Sequence, residues 1–128
     1  MKKVLIVDDV PGWVRFHQKN IEYLNVANLQ IDTAYSAREA VNKIEASIDN
    51  PYYAIFTDLQ MESDFLPKSA GEWFVEQIKT YDKYYKNTKI IIVSASPSIR
   101  KIAEYYNVAY IPKSVIRNAE AKIYEQYL

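Results

Sequence analysis

Short runs of β-branched and other apolar residues recur along the chain and alternate with segments of a different periodicity. The five runs are Val4 to Val7, Ile31 to Thr33, Tyr53 to Thr57, Ile90 to Val93 and Val108 to Ile111. Three of them are apolar almost without interruption, which is typical of strands covered on both faces in a parallel sheet. The pattern therefore predicts five buried strands.

The segments between these runs carry apolar residues at three- and four-residue spacing, which predicts helices. The clearest helix follows Ser36, a residue type that caps helix N-termini, and Pro11 is expected to open the first helix. A last helix is expected to end the chain, with an apolar stripe of Val115, Ala119, Ile123 and Tyr127. Five alternations of strand and helix predict an α/β fold, a doubly wound five-stranded parallel sheet with five helices.

Composition limits the kinds of partner that the chain can have. Its 128 residues fit one domain, with 16 basic and 16 acidic side chains, so no global charge favours direct binding to nucleic acid or to a membrane. There is no cysteine, and the first apolar run is too short for a signal peptide or a membrane span. We expect a cytoplasmic protein.

Polar residues stand at the strand ends, where parallel sheets bind their ligands. Asp8 and Asp9 follow the first strand, Asp58 follows the third, and Ser94 and Lys113 follow the fourth and fifth. Each residue alone also fits a structural role, such as a helix cap or a solvated lysine. Together, three clustered carboxylates repel one another and favour a hard divalent cation such as magnesium. A phosphoryl group could approach the neutralised site.

The sequence resembles the response-regulator receiver family in four places that span the whole chain. These are Asp8-Asp9 after the first strand, Asp58 with Met61 three residues on, Ser94-Ala95 after the fourth strand, and Tyr110 three residues before Lys113. The resemblance implies the flavodoxin-like receiver topology. It also implies a single receiver domain over residues 1–128, and we expect no attached output domain.

By this resemblance, Asp58 is the nucleophile that accepts a phosphoryl group from a phosphohistidine donor. Asp9 and Asp58 would bind Mg²⁺ directly, and Asp8 would bind it through water. The backbone carbonyl of Gln60 would complete the protein ligands. Lys113 would pair with a phosphoryl oxygen and balance charge in the transition state.

The family resemblance also implies a switch and a set of partners. The Ser94 hydroxyl would bind the phosphoryl group, and Tyr110 would then turn inward behind it. The donor would be a histidine kinase or a histidine phosphotransfer protein, and the output would be a downstream protein target. We expect self-catalysed phosphotransfer and autodephosphorylation, in a monomer or a phosphorylation-dependent dimer.

Two features depart from the family pattern. Most members have proline directly after the lysine, whereas here Pro112 precedes Lys113 and Ser114 follows it, which leaves the placement of the lysine open. The connection from Asp58 to Gly71 is also several residues longer than usual. Its acidic residues Glu62 and Asp64 could tune metal affinity, and its apolar residues Phe65 and Leu66 could contact a partner. The connection could also be a tolerated insertion.

Other functions stay open on the same residues. The first is a phosphorylation-independent interaction module, in which the altered Lys113 turn and the long loop have uncoupled the switch. An aspartate-nucleophile phosphohydrolase is disfavoured because it needs a second Asp two residues after the first, and a flavodoxin-like cofactor carrier because no phosphate-binding loop follows the first strand. His17, the one histidine, is expected at the surface.

Overall fold

A computed structural model describes residues 2–61, 69–118 and 121–128 of the chain. The five predicted strands are all present, and their ends differ from the predicted ones by no more than two residues. They are β1 (Lys2–Val7), β2 (Leu29–Ala34), β3 (Ala54–Thr57), β4 (Lys89–Ser94) and β5 (Ala109–Pro112). The strands form one parallel sheet in the order β2-β1-β3-β4-β5, so the predicted fold class is confirmed.

Helices connect the strands and cover both faces of the sheet. They are α1 (Pro11–Tyr23), α2 (Ala37–Ala46), α3 (Ala70–Thr80), α4 (Asp82–Tyr85), α5 (Ile99–Tyr106), α6 (Lys113–Asn118) and α7 (Lys122–Glu125). The short helix α4 was not predicted. Pro11 is the first residue of α1, and the Ser36 hydroxyl caps α2 by accepting a hydrogen bond from the Glu39 NH at 3.0 Å.

The prediction of one long C-terminal helix is wrong, because α6 and α7 are separate elements in the described part of the chain. The predicted apolar stripe is also displaced by one residue. Ile116 and Tyr124 are buried, whereas Val115 is 49% exposed. The tertiary positions of the two short helices decide which residues enter the core; Ala119, which also belonged to the predicted stripe, lies outside the described residues.

The sheet is buried on both faces, which explains why its strands do not alternate between apolar and polar residues. Along β1, Leu5 and Val7 enter one core, which α2 and α3 cover. Val4 and Ile6 enter the other, which α1, α6 and α7 cover. Among the described helices, none has the length and apolar character needed to cross a membrane.

The prediction that His17 lies at the surface is wrong, because its side chain is only 2% exposed. His17 is one of three buried residues on α1, together with Val14 and Ile21, and the spacing of these three forms one helical stripe. The side chain packs there because its Nδ1 shares a hydrogen bond of 2.6 Å with the Tyr124 hydroxyl.

Candidate functional site

Three acidic residues meet at the carboxyl edge of the sheet. Val7 and Thr57 are paired in the register of β1 and β3, so the residues that follow them, Asp8 and Asp58, lie side by side. One carboxylate oxygen from each of Asp8, Asp9 and Asp58 lies within 4.8 Å of the others. Asp8 and Asp58 are buried, and Asp9 is exposed.

The Asp8 side chain is held by the Val10 backbone NH and by Lys113. Its Oδ1 accepts a hydrogen bond from the Val10 NH at 2.9 Å, and its Oδ2 lies 2.9 Å from the Lys113 Nζ. Burial raises the pKa of the Asp8 carboxyl, and the Asp58 carboxylate adds to the rise, while the Val10 NH and Lys113 oppose it. The Val10 NH and the Lys113 ammonium therefore both stabilise the carboxylate form of Asp8.

Asp58 is oriented by the turn that follows β3. Its Oδ1 accepts a hydrogen bond from the Leu59 NH at 2.7 Å, and its Oδ2 accepts one from the Lys113 Nζ at 3.3 Å. The Gly71 NH donates to the Leu59 carbonyl at 2.8 Å, which ties the start of α3 to the same turn. The nucleophile candidate thus sits on a turn fixed from both sides.

Lys113 is the first residue of α6, directly after β5. The Lys113 ammonium contacts both Asp8 and Asp58, so the lysine reaches the site although serine rather than proline follows it. The ammonium also lies over the indole ring of Trp13, 4.7 Å from the ring centroid. Sequence reasoning did not identify Trp13, since a tryptophan one turn into a helix fits a core position equally well.

Ser94 and Tyr110 occupy different environments. Ser94 is buried at the end of β4, where its hydroxyl accepts a hydrogen bond from the Ser96 NH at 3.1 Å. It lines a cleft of about 330 Å³ together with Lys113 and Ser114. Tyr110 on β5 is 36% exposed, so an inward turn would change its environment. Metal ligation by the Gln60 carbonyl stays a prediction.

The donor set fits a hard divalent cation. Three carboxylates and one lysine leave about two negative charges at the site, and oxygen ligands suit magnesium. The Asp8 Oδ2 is buried beside the Lys113 ammonium at 2.9 Å, and Lys113 shares that ammonium with Asp58. One ammonium does not neutralise two buried carboxylates, so a cation at this position would offset the remaining negative charge.

The long connection after Asp58 was predicted to border the site. Its residues Glu62, Asp64, Phe65 and Leu66 lie outside the described residues. Met61, at its start, is buried against the core that α2 and α3 cover.

The protein is therefore a parallel α/β protein with three carboxylates and a lysine at the carboxyl edge of its sheet. Comparison with known structures identifies the fold more narrowly. A CheY-like receiver domain protein from Methanospirillum hungatei JF-1 has a TM-score of 0.66 and 20% identity, with 99% of this chain and 94% of that chain covered. The response regulator TrrA from Thermotoga maritima, solved with Mg²⁺-BeF, has a TM-score of 0.65 and 25% identity, with both chains fully covered.

RcsB from Salmonella enterica, solved bound to a promoter, has a TM-score of 0.68 and 15% identity, with 99% of this chain and 95% of that chain covered. No protein-family model matches the sequence, and no curated protein matches it. The chain has the fold of a response-regulator receiver domain.

Proposed function

We propose that this protein is a phosphoacceptor receiver, in which Asp58 takes a phosphoryl group from a histidine kinase or a histidine phosphotransfer protein. The observation that carries the proposal is the proximity of the Asp58 carboxylate to two further acids and to the Lys113 ammonium. A structural core has little use for three converging carboxylates, because they repel one another.

The chemistry is a displacement at phosphorus. One Asp58 carboxylate oxygen forms a bond to phosphorus, while the bond to the donor's nitrogen or oxygen breaks and its electron pair leaves with the donor. Lys113 lies within reach of that carboxylate and would stabilise charge on the transferring oxygens. Asp8, Asp9 and Asp58 would hold Mg²⁺, which supplies further charge neutralisation when bound.

Phosphorylation would then bias a protein-interaction surface. Ser94 lines the cleft beside Lys113, and its hydroxyl would turn from the Ser96 NH toward the phosphoryl group. Tyr110, on the neighbouring strand, would lose exposure as it turns inward. The output would be a protein partner, since the chain carries no net charge that favours nucleic acid. We further propose a cytoplasmic location for this exchange.

Intact mass after incubation with acetyl phosphate and magnesium tests the proposal. We expect one added mass of about 80 Da, that of a phosphoryl group, which is lost in Asp58→Asn and in a chelator. The Asn variant keeps the shape of the turn and removes the nucleophile. An adduct that persists in Asp58→Asn would show that another residue accepts the group. A folded, magnesium-binding protein without any adduct would favour the phosphorylation-independent interaction module.

A further inference from the structure

We propose that Trp13 is a positioning residue for Lys113, and that its indole face holds the lysine ammonium at the site during phosphoryl transfer. The inference rests on the proposed function of Asp58, and it assigns a role to a residue outside the acidic cluster. It follows from the contact that the Lys113 ammonium makes with an aromatic ring in addition to its contacts with the acids.

The lysine ammonium has two kinds of partner. Asp8 and Asp58 lie 2.9 and 3.3 Å from its nitrogen, and the Trp13 ring centroid lies 4.7 Å from it. A cation over an indole face is attracted by the ring quadrupole, and the attraction is stronger where water is excluded. Lys113 is only 8% exposed, so this contact is largely desolvated.

The indole ring is itself fixed in place. His17 stacks against it, with centroids 5.6 Å apart, and Phe16 packs edge-on at 5.4 Å. His17 is anchored in turn by its hydrogen bond to Tyr124, which packs against Phe56 of the sheet. A chain of ring contacts therefore links the lysine to the core, and Trp13 presents a rigid surface to a long, flexible side chain.

This arrangement suits a lysine that must change partners. When phosphorus bonds to Asp58, the carboxylate loses charge and the negative charge moves to the phosphoryl oxygens, so the ammonium must follow it. A carboxylate partner is directional, whereas a ring face attracts a cation over a wide area. Trp13 can keep its hold on the ammonium while the anionic partners are exchanged.

Rates of phosphorylation by acetyl phosphate test the role in a graded series. Trp13→Leu removes the aromatic face and keeps an apolar side chain, and we expect the rate to fall about tenfold. Trp13→Phe and Trp13→Tyr keep a weaker ring and should fall in between. Trp73→Leu is the matched control, because Trp73 packs against the core on the other face of the sheet and should leave the rate unchanged.

Nuclear magnetic resonance supplies a readout that does not depend on phosphorylation. The methylene protons of Lys113 next to the ammonium should be shifted upfield by the ring current of Trp13. Lys113→Gln assigns these signals, and Trp13→Leu should return them to ordinary positions while Trp73→Leu does not. Wild-type methylene signals without an upfield shift would overturn the proposal, and this measurement remains decisive if Trp13→Leu does not fold.

The two proposals fail differently. If the wild type takes no phosphoryl group, the function proposed for Asp58 is wrong. The chemical shifts of the Lys113 methylene protons still decide whether Trp13 holds Lys113. If the wild type is phosphorylated and a folded Trp13→Leu reacts equally fast, the positioning role alone is wrong. A rate that falls equally in Trp13→Leu and Trp73→Leu would indicate general destabilisation and also overturn it.

Discussion

Lys113 is the cation that makes the acidic site compatible with folding. Its ammonium contacts Asp8 and Asp58, the two buried carboxylates of the cluster. A buried carboxylate without a partner is costly, and Lys113 provides a partner for both. One positive charge reduces the repulsion between two carboxylates without cancelling it. The site keeps an excess of negative charge, which is the condition under which a divalent cation binds well.

His17 gives the protein a pH-dependent component of stability. Burial, together with the smaller effect of the Lys113 charge, lowers the pKa of His17 from its ordinary 6.5 to about 4. The unfolded chain therefore binds more protons between these values, so the stabilisation is present above pH 6.5 and is lost as the pH falls toward 4. The loss amounts to about 3 kcal/mol. His17→Gln should remove it.

Urea unfolding from pH 7.5 to 4.5 measures this component as the difference between the wild type and His17→Gln. Carboxylates titrate in both proteins and cancel in the comparison. Parallel curves, with one constant offset across this range, would contradict a neutral buried His17.

The residues of the acidic cluster were predictable, whereas the aromatic residues beside them were not. Parallel strands place their carboxyl ends at one edge, so Asp8, Asp9 and Asp58 were expected to converge from the strand order, whereas the exact placement of Lys113 was left open. The positions of Trp13 and His17 depend on how α1 is rotated about its axis, which packing against Tyr124 determines. A pattern of apolar residues does not fix that rotation to within one residue.

Helix α3 is joined to the turn that carries Asp58. The backbone NH of Gly71 donates to the Leu59 carbonyl at 2.8 Å, and a methyl group on Gly71 would overlap the Asp58 carbonyl oxygen and the Leu59 Cα. Helix and turn approach so closely that only glycine fits between them. The turn that carries Asp58 therefore depends on the absence of a side chain at Gly71.

Gly71→Ala should lower the free energy of unfolding by about 2 to 3 kcal/mol, because rigid backbone must shift to admit the methyl group. Gly12→Ala is the matched control, since Gly12 lies in α1 and the added carbon would meet no atom within 4 Å beyond its chain neighbours and the backbone of its own helix. It should be neutral or stabilising by up to about 1 kcal/mol. Chemical denaturation measures both. Equal stability of the two variants would exclude the close approach.

A helix was predicted well where its capping residue and its apolar spacing indicate the same boundaries. Helix α2 was predicted well because its serine cap and its apolar stripe agree. At the described start of α7, Ala121 provides no side-chain cap, and the apolar residues of the C-terminal region fit more than one stripe. Which stripe is buried is decided by the surface that β3 and α1 present, where Phe56 and His17 both contact Tyr124.

At the scale of the whole molecule, the candidate metal site exists only in the folded chain. Asp8, Asp9 and Asp58 come from the ends of two strands that are far apart in sequence and adjacent in the sheet. The unfolded chain does not hold these three carboxylates together, so it binds the cation weakly. Binding to the folded state alone must stabilise that state by mass action.

Magnesium should therefore raise the melting temperature by several degrees, since a concentration of 100 times Kd adds about 2.7 kcal/mol. Asp9→Ala should lose most of this rise, because it removes an exposed candidate ligand and leaves the buried Asp8 and Asp58 in place. Calorimetry with sodium chloride at equal ionic strength separates specific binding from charge screening. An equal rise in the wild type and in Asp9→Ala would place the cation elsewhere, and no rise in either would leave the acidic edge without a metal.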